Sequence, residues 1–126
     1  MKEIVAVIRM NMMNVTKRAL ADIGISSMTA KDALGRGKGI IEFKFLNGAA
    51  KGYEEAISQL GQNDRLIPKR ILFIAVPDKL VQKAVKTIIK INQTGKSGDG
   101  KIFILPLLDS VRVRTGESGD NVLDDD

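Results

Sequence analysis

With 126 residues, 44% hydrophobic content and a net charge of +5, the chain is long enough for one domain with a real core and too short for two ordinary ones. It contains neither cysteine nor histidine, which removes thiol nucleophiles, imidazole bases, Ser-His-Asp relays and Cys/His zinc sites, leaving an enzyme only carboxylates, lysines or bound magnesium. All 20 lysines and arginines lie at or before Arg114, whereas Glu117, Asp120 and Asp124 to Asp126 follow it, so an acidic end masks a strongly basic body suited to phosphates.

Lys2 to Arg9 reads as a first strand, and Arg9 interrupts the apolar run that a signal peptide would need. The longest apolar stretches, Ile71 to Val76 and Ile102 to Leu105, fall far short of the roughly 20 residues of a membrane helix, so no span is expected and a cytosolic location is. In that setting the Asn-x-Thr sequons at Asn14 and Asn92 read as chance matches. Asn14 is expected to cap a helix whose apolar positions Val15, Ala19, Leu20 and Ile23 recur at helical spacing until Gly24 ends it. More strand follows at Ser27 to Leu34 and at Ile40 to Phe45.

Between those strands, Gly35-Arg36-Gly37-Lys38-Gly39 alternates glycine with cations, a pattern that permits close backbone approach but equally makes a simple flexible turn. Residues 46 to 67 lack a sustained strand pattern, and a connector this long in a small domain is usually functional or disordered; Glu54 to Leu60 could also form a short packed helix. The second half repeats the first. Arg70 to Val76 is a β-branched strand, Pro77-Asp78 opens a helix, and Leu80, Val81, Ala84, Val85, Ile88 and Ile91 form its buried stripe. Strands at Ile102 to Leu105 and Ser110 to Arg114 complete a β-α-β, β-α-β order. That order predicts an α+β, ferredoxin-like βαββαβ fold, a four-stranded antiparallel sheet with two helices on one face. Residues 118 to 126 read as a disordered acidic tail.

The chemistry concentrates in Thr94-Gly-Lys-Ser-Gly-Asp-Gly-Lys101, three glycines and two lysines beside the apolar Ile102-Phe103-Ile104. Such a loop suits backbone wrapping around a phosphate, and Arg112-Val113-Arg114, read as a strand, would aim two guanidiniums at one face nearby. Gly95 to Lys101 satisfies G-x-x-x-x-G-K, but Ile102 stands where a P-loop needs Ser or Thr and a strand follows instead of a helix. Gly35 to Ile40 fails the dinucleotide fingerprint as well. The five aromatics, Phe43, Phe45, Tyr53, Phe73 and Phe103, contain no RNA-recognition string, so nucleic acid is not an expected partner.

Thr94 to Phe103, followed by Arg112-Val-Arg-Thr-Gly-Glu117, resembles the C-terminal signature of the PII signal-transduction proteins. The first strand, Ala19-Leu20, Gly24-Ile25, Met28-Thr29, the glycine run at 35 to 39, Pro68-Lys69 and Val76-Pro77-Asp78 also fall where that family has counterparts, so the resemblance covers a domain at residues 1 to 117. It implies a trimeric sensor without catalysis that binds ATP or ADP in clefts between subunits, with 2-oxoglutarate beside MgATP, and engages a target through a long loop. The matching nucleotide-site positions are Thr29, Gly35, Gly37, Lys38, Lys69, Gly98, Gly100, Lys101, Arg112 and Arg114. Gly98 and Gly100 would bring backbone N–H groups to oxygen, Lys101 and the two arginines would neutralise phosphate, and Thr29 would hydrogen-bond the base. Lys69 would sit near the γ-phosphate or the 2-oxoglutarate carboxylate.

Two departures from the family pattern carry further implications. Gly39 replaces the Gln that contacts magnesium and 2-oxoglutarate, and it has neither oxygen nor amide to do so. Asn47-Gly48-Ala49-Ala50-Lys51 replaces the Arg-Gly-Ala-Glu-Tyr segment, so uridylylation there is excluded; Tyr53 lies outside the motif and is read as unmodified. Both features resemble the NifI-type nitrogenase regulators, more nearly the second of two paralogues. That likeness implies nitrogenase as target, contact through 46 to 67, and a homotrimer or a mixed oligomer with a PII-like paralogue. A generic PII regulator of an ammonium channel or of glutamine synthetase is the alternative.

Overall fold

The computed structural model describes residues 1–37 and 66–123. Its order is β1 (Lys2–Arg9), α1 (Met13–Asp22), β2 (Thr29–Gly35), β3 (Ile67–Val76), α2 (Val81–Asn92) and β4 (Lys101–Pro106), with short 3-10 turns at Met10–Met12, Asp78–Leu80 and Asp120–Val122. The strands form one antiparallel sheet in the order β2-β3-β1-β4, the ferredoxin-like arrangement.

Alternation along the central strands sorts the core. Ile4, Ala6 and Ile8 of β1 and Leu72, Ile74 and Val76 of β3 face the helices and are buried together with Leu20, Ile25, Ala84 and Ile88. Burying each large aliphatic of this set stabilises the fold by about 1.5–3 kcal/mol. Among the described residues no element covers the opposite sheet face: Val5, Val7, Ile71 and Phe73 are half-buried, and Phe103 and Leu105 of the edge strand β4 are exposed.

Several expectations are corrected. Asn14 is not a cap; the 3-10 turn at Met10–Met12 runs straight into α1, and no side chain caps the helix. With the helix starting at Met13, its inward row is Met13, Thr16, Leu20 and Ile23, which leaves Val15 exposed. Thr16 is fully buried, and it pairs with a second buried polar residue, Asn92, across the two helices. Ser110 to Arg114 forms no strand. Val111 makes one isolated bridge to Ser118, and between them Gly116, at φ +76°, turns the chain back so that Gly116 N–H donates to Arg112 O at 2.7 Å and Arg112 N–H to Glu117 O at 2.8 Å. The acidic end is also ordered as far as Leu123, because Val122 and Leu123 are 5% and 7% exposed and Gly119 N–H donates to Ser110 O. The expected strand at Ile40 to Phe45, the short helix at Glu54 to Leu60, Lys38, Gly39 and all of the 46 to 67 connector except Leu66 and Ile67 lie outside the described residues, as do Asp124 to Asp126.

Candidate functional site

The loop between α2 and β4 is shaped by glycines and tied by one carboxylate. Gly95, Gly98 and Gly100 all have positive φ, at +83°, +96° and +118°, which side-chain-bearing residues rarely adopt. At Gly100 even a methyl group is excluded, since a Cβ there would lie 2.0 Å from the Val7 carbonyl oxygen. The loop backbone therefore lies directly against β1.

Asp99 closes the loop on itself. Its Oδ2 accepts from the N–H groups of Thr94 at 2.7 Å and Gly95 at 2.9 Å, and its Oδ1 accepts from the Thr94 hydroxyl and from Arg9 Nη1 at 2.6 Å. The Thr94 hydroxyl and backbone N–H, with Arg9 and the Gly95 N–H, hold the Asp99 carboxyl well below the usual carboxylate range. Arg9 Nη2 also donates to Ser97 O at 3.1 Å, and Lys69 Nζ donates to Gly98 O at 2.9 Å. Arg9 and Lys69 are cross-strand partners in the β1–β3 register. Partial burial, and then the neighbouring Arg9 charge, push the Lys69 ammonium below its ordinary value, with Asp99 opposing. Two cations brought together beside a glycine backbone, one partly desolvated and the other paired with Asp99, form a place where an added anion relieves repulsion. Lys101 follows the loop as the first residue of β4, exposed and paired in register with Val7; Gly35 ends β2 opposite Ile67, and Gly37 lies just beyond it.

The remaining predicted positions are elsewhere. Thr29 begins β2, exposed, opposite Phe73, which itself pairs with Val5. Arg112 and Arg114 line a hollow of about 600 Å³ with Ser27, Val122 and Leu123, beyond Thr29. The Arg112 side chain is 9% exposed and its Nη1 donates to Glu117 Oε1 at 3.0 Å, whereas Arg114 is exposed in the turn. The guanidiniums thus do not share a strand face. Along β1, the Thr29 level at Val5 and the Lys69 level at Arg9 are four residues apart, about 13 Å. One subunit brings Gly98, Gly100, Lys101, Lys69 and Gly35 together toward one end of the sheet, holds Thr29 midway along it, and carries Arg112 and Arg114 near Ser27 toward the other end.

Sequence reasoning passed over Arg9, Asp99 and Glu117. In sequence Arg9 is a strand end that breaks an apolar run, and its place opposite Lys69 follows from the antiparallel pairing. Asp99 is the one acid inside the glycine loop, and Glu117 stands five residues from Arg112 around a Thr-Gly turn. Among the described residues no group of three or more carboxylates could hold a metal ion, and no helix is long and apolar enough to cross a membrane.

Residues 1–117 match the family model described as nitrogen regulatory protein P-II. The chain is 43% identical over 128 residues to "Nitrogen fixation nifHD region GlnB-like protein 2" of Methanobacterium ivanovii, covering 98% of this chain and 99% of the relative. It is 45% identical over 132 residues to "Nitrogen fixation nifHD1 region GlnB-like protein 2" of Methanosarcina barkeri, with the same coverage. Among solved structures, Arabidopsis thaliana PII bound to citrate superposes with a TM-score of 0.72 at 31% identity, covering 95% of this chain and 89% of that one. The glycine loop locked against β1, the ferredoxin-like sheet and full-length relatives of this kind agree: the chain belongs to the nitrogen regulatory protein P-II family.

Proposed function

We propose that this protein is a nitrogen-status sensor that binds ATP or ADP where two subunits meet and regulates nitrogenase by direct contact, in response to adenine nucleotide and 2-oxoglutarate. The observation that carries the nucleotide reading is the separation of the glycine loop and Lys101 from Arg112 and Arg114, which lie toward opposite ends of one sheet with Thr29 between them. Neither end alone has both a phosphate cradle and the arginines; a neighbouring copy, or a P-II-like paralogue, that placed its Arg112 end against this Lys101 end would complete a cleft. The uncovered sheet face with Phe73, Phe103 and Leu105 supports such an assembly, since apolar surface of this kind marks association sites.

In that cleft Gly98 and Gly100 present backbone N–H groups and Lys101, Arg112 and Arg114 neutralise phosphate charge. Thr29 hydrogen-bonds the base, Gly35 and Gly37 let the chain approach the ligand, and Lys38, outside the described residues, adds a cation. Arg9 and Lys69 supply the charge that a γ-phosphate or the 2-oxoglutarate carboxylate would meet. With Gly39 lacking a side-chain oxygen, magnesium would be held by the nucleotide itself. The nifHD-region names of the relatives favour nitrogenase as the target.

Calorimetry with ATP, ADP and 2-oxoglutarate tests the ligand reading. Lys101→Ala and Arg114→Ala should each weaken ATP by about 1–3 kcal/mol, as expected for charge-assisted bonds; unchanged affinity in both would mean the site is misplaced. For the target, nitrogenase recovery on immobilised protein should fall when residues 46–67 are deleted, and equal recovery would exclude that segment as the contact.

A further inference from the structure

The outer face of α2 carries charge of a single sign in a regular row. Lys79, Lys83, Lys86 and Lys90 are spaced four, three and four residues apart, which puts them within about 60° of arc along roughly 17 Å of the 3-10 turn and helix. All four are exposed, directly opposite the buried Ala84, Ile88 and Asn92. Among the described residues none of the four ammonium groups has an ion-pair partner. The helix itself contains no acid, and Asp78 at its entry is engaged by the N-terminal amine at 3.1 Å and Lys2 at 3.3 Å. A solvated helix face ordinarily interleaves both signs, because like charges three and four residues apart destabilise the helix. Here three such lysine pairs stand uncompensated.

We propose that this face docks an acidic helix of a partner protein, whose carboxylates repeat at i, i+4, i+7 and i+11. The row fits that partner better than other polyanions. Its flanks on α2 are Gln82, Thr87 and Gln93, and Ile89 shares a hollow with Ile102 and Ile104 toward β4, so among the described residues the apolar surface lies to one side and the row itself offers no apolar strip to a bilayer. It has no arginine fork and no aromatic platform with which to grip nucleic acid. The helices cover the sheet face opposite the uncovered one, so the row stays accessible when subunits meet through the sheet, and the inference does not depend on what the glycine loop binds.

Fluorescence anisotropy with two synthetic helical peptides tests it. One carries four glutamates at i, i+4, i+7 and i+11; the other has the same composition with the glutamates distributed around the helix. On the wild-type protein the patterned peptide should bind about tenfold more tightly, the gain expected from a few aligned exposed ion pairs, and rising salt should remove the difference. Lys83→Gln/Lys86→Gln should erase the preference, while Lys17→Gln/Arg18→Gln, an equal charge change on the exposed side of α1, should keep it. Equal binding of the two peptides, no binding of the patterned peptide at low salt, or an unaltered preference in the row variant would overturn the proposal. So would tighter binding to phosphatidylserine vesicles or to duplex DNA than to the patterned peptide.

Discussion

Gly100→Ala should be among the most damaging single-methyl additions in this protein, and the glycines of its own loop provide the comparison. At φ +118° an alanine is strained by roughly 1–3 kcal/mol wherever it sits. Gly100 adds a second cost, because its Cβ would stand 2.0 Å from the Val7 carbonyl oxygen, and both partners are backbone. Relieving that overlap means moving β4 away from β1 at the Val7↔Lys101 pair, with ladder bonds worth about 0.5–1.5 kcal/mol each at stake. A total of about 3–5 kcal/mol is expected. Gly95, at φ +83° with nothing within 4 Å of its would-be Cβ, carries the strain alone, so Gly95→Ala should cost about 1–2 kcal/mol. Urea unfolding of the two variants, read as midpoint changes at constant slope, measures the difference. Equal losses in both would refute the reasoning, since they would mean that the glycine loop does not press on β1 and is not locked to the sheet.

Three further outcomes follow from the geometry. Asn92 donates to Thr16 Oγ1 at 3.0 Å and Ile88 O at 2.9 Å while its buried Oδ1 has no partner among the described residues. Because an orphaned acceptor offsets one or two neutral bonds, Asn92→Leu should change stability by less than about 1 kcal/mol, whereas Thr16→Val, which leaves the buried amide one of its two bonds, should cost about 1–3 kcal/mol; a thermal-unfolding loss larger for Asn92→Leu than for Thr16→Val would contradict this. Asp99→Asn puts an amide where four donors converge, so the Thr94 and Gly95 amides should lose protection in hydrogen exchange; in the parent the depressed Asp99 value makes its contribution fully present above the ordinary carboxylate range and lost only as pH falls through the depressed value. Lys69 has the opposite sign: its charged form is penalised below its depressed value, and that penalty lifts as pH rises through it toward 10.5. An anion beside Lys69 favours the charged form, so ATP binding at alkaline pH should take up a proton, seen as a heat that varies with buffer ionisation enthalpy and vanishes in Lys69→Met.

The elements with strong periodicity were legible in the sequence. Two strand–helix repeats gave the sheet, and the glycines at 95, 98 and 100 announced a backbone that only glycine can follow. Reading failed where a local pattern needed a tertiary partner. Val111 and Val113 alternate with polar residues as a strand would, but Thr115-Gly116 folds the segment back into a turn, so the two arginines border one hollow without sharing a strand face. Thr16 and Asn92 were passed over because a search for apolar stripes discards polar residues, although each lies four residues from a core position, Leu20 and Ile88. The acidic end looked unable to order itself; two apolar residues, Val122 and Leu123, suffice because Ser110 and Asp109 already hold Gly119.

The separation of the candidate residues has a consequence for how a sensor of this shape would work. If the phosphate cradle were complete within one subunit, nucleotide affinity would be a property of the fold alone. Here the glycine loop is tied by Asp99, Arg9 and Lys69, while Arg112 is paired with Glu117 toward the far end of the sheet. Under the proposed reading a nucleotide phosphate displaces that carboxylate from the arginine of one copy while resting on the glycines of another. Binding and assembly then stabilise each other by mass action, and by linkage the effect is the same in both directions. Under the same reading the nucleotide would also meet Gly35 and Gly37, at the end of β2 from which the 46 to 67 connector is reached in sequence. A signal generated between subunits would then pass to the segment that the proposed target would touch.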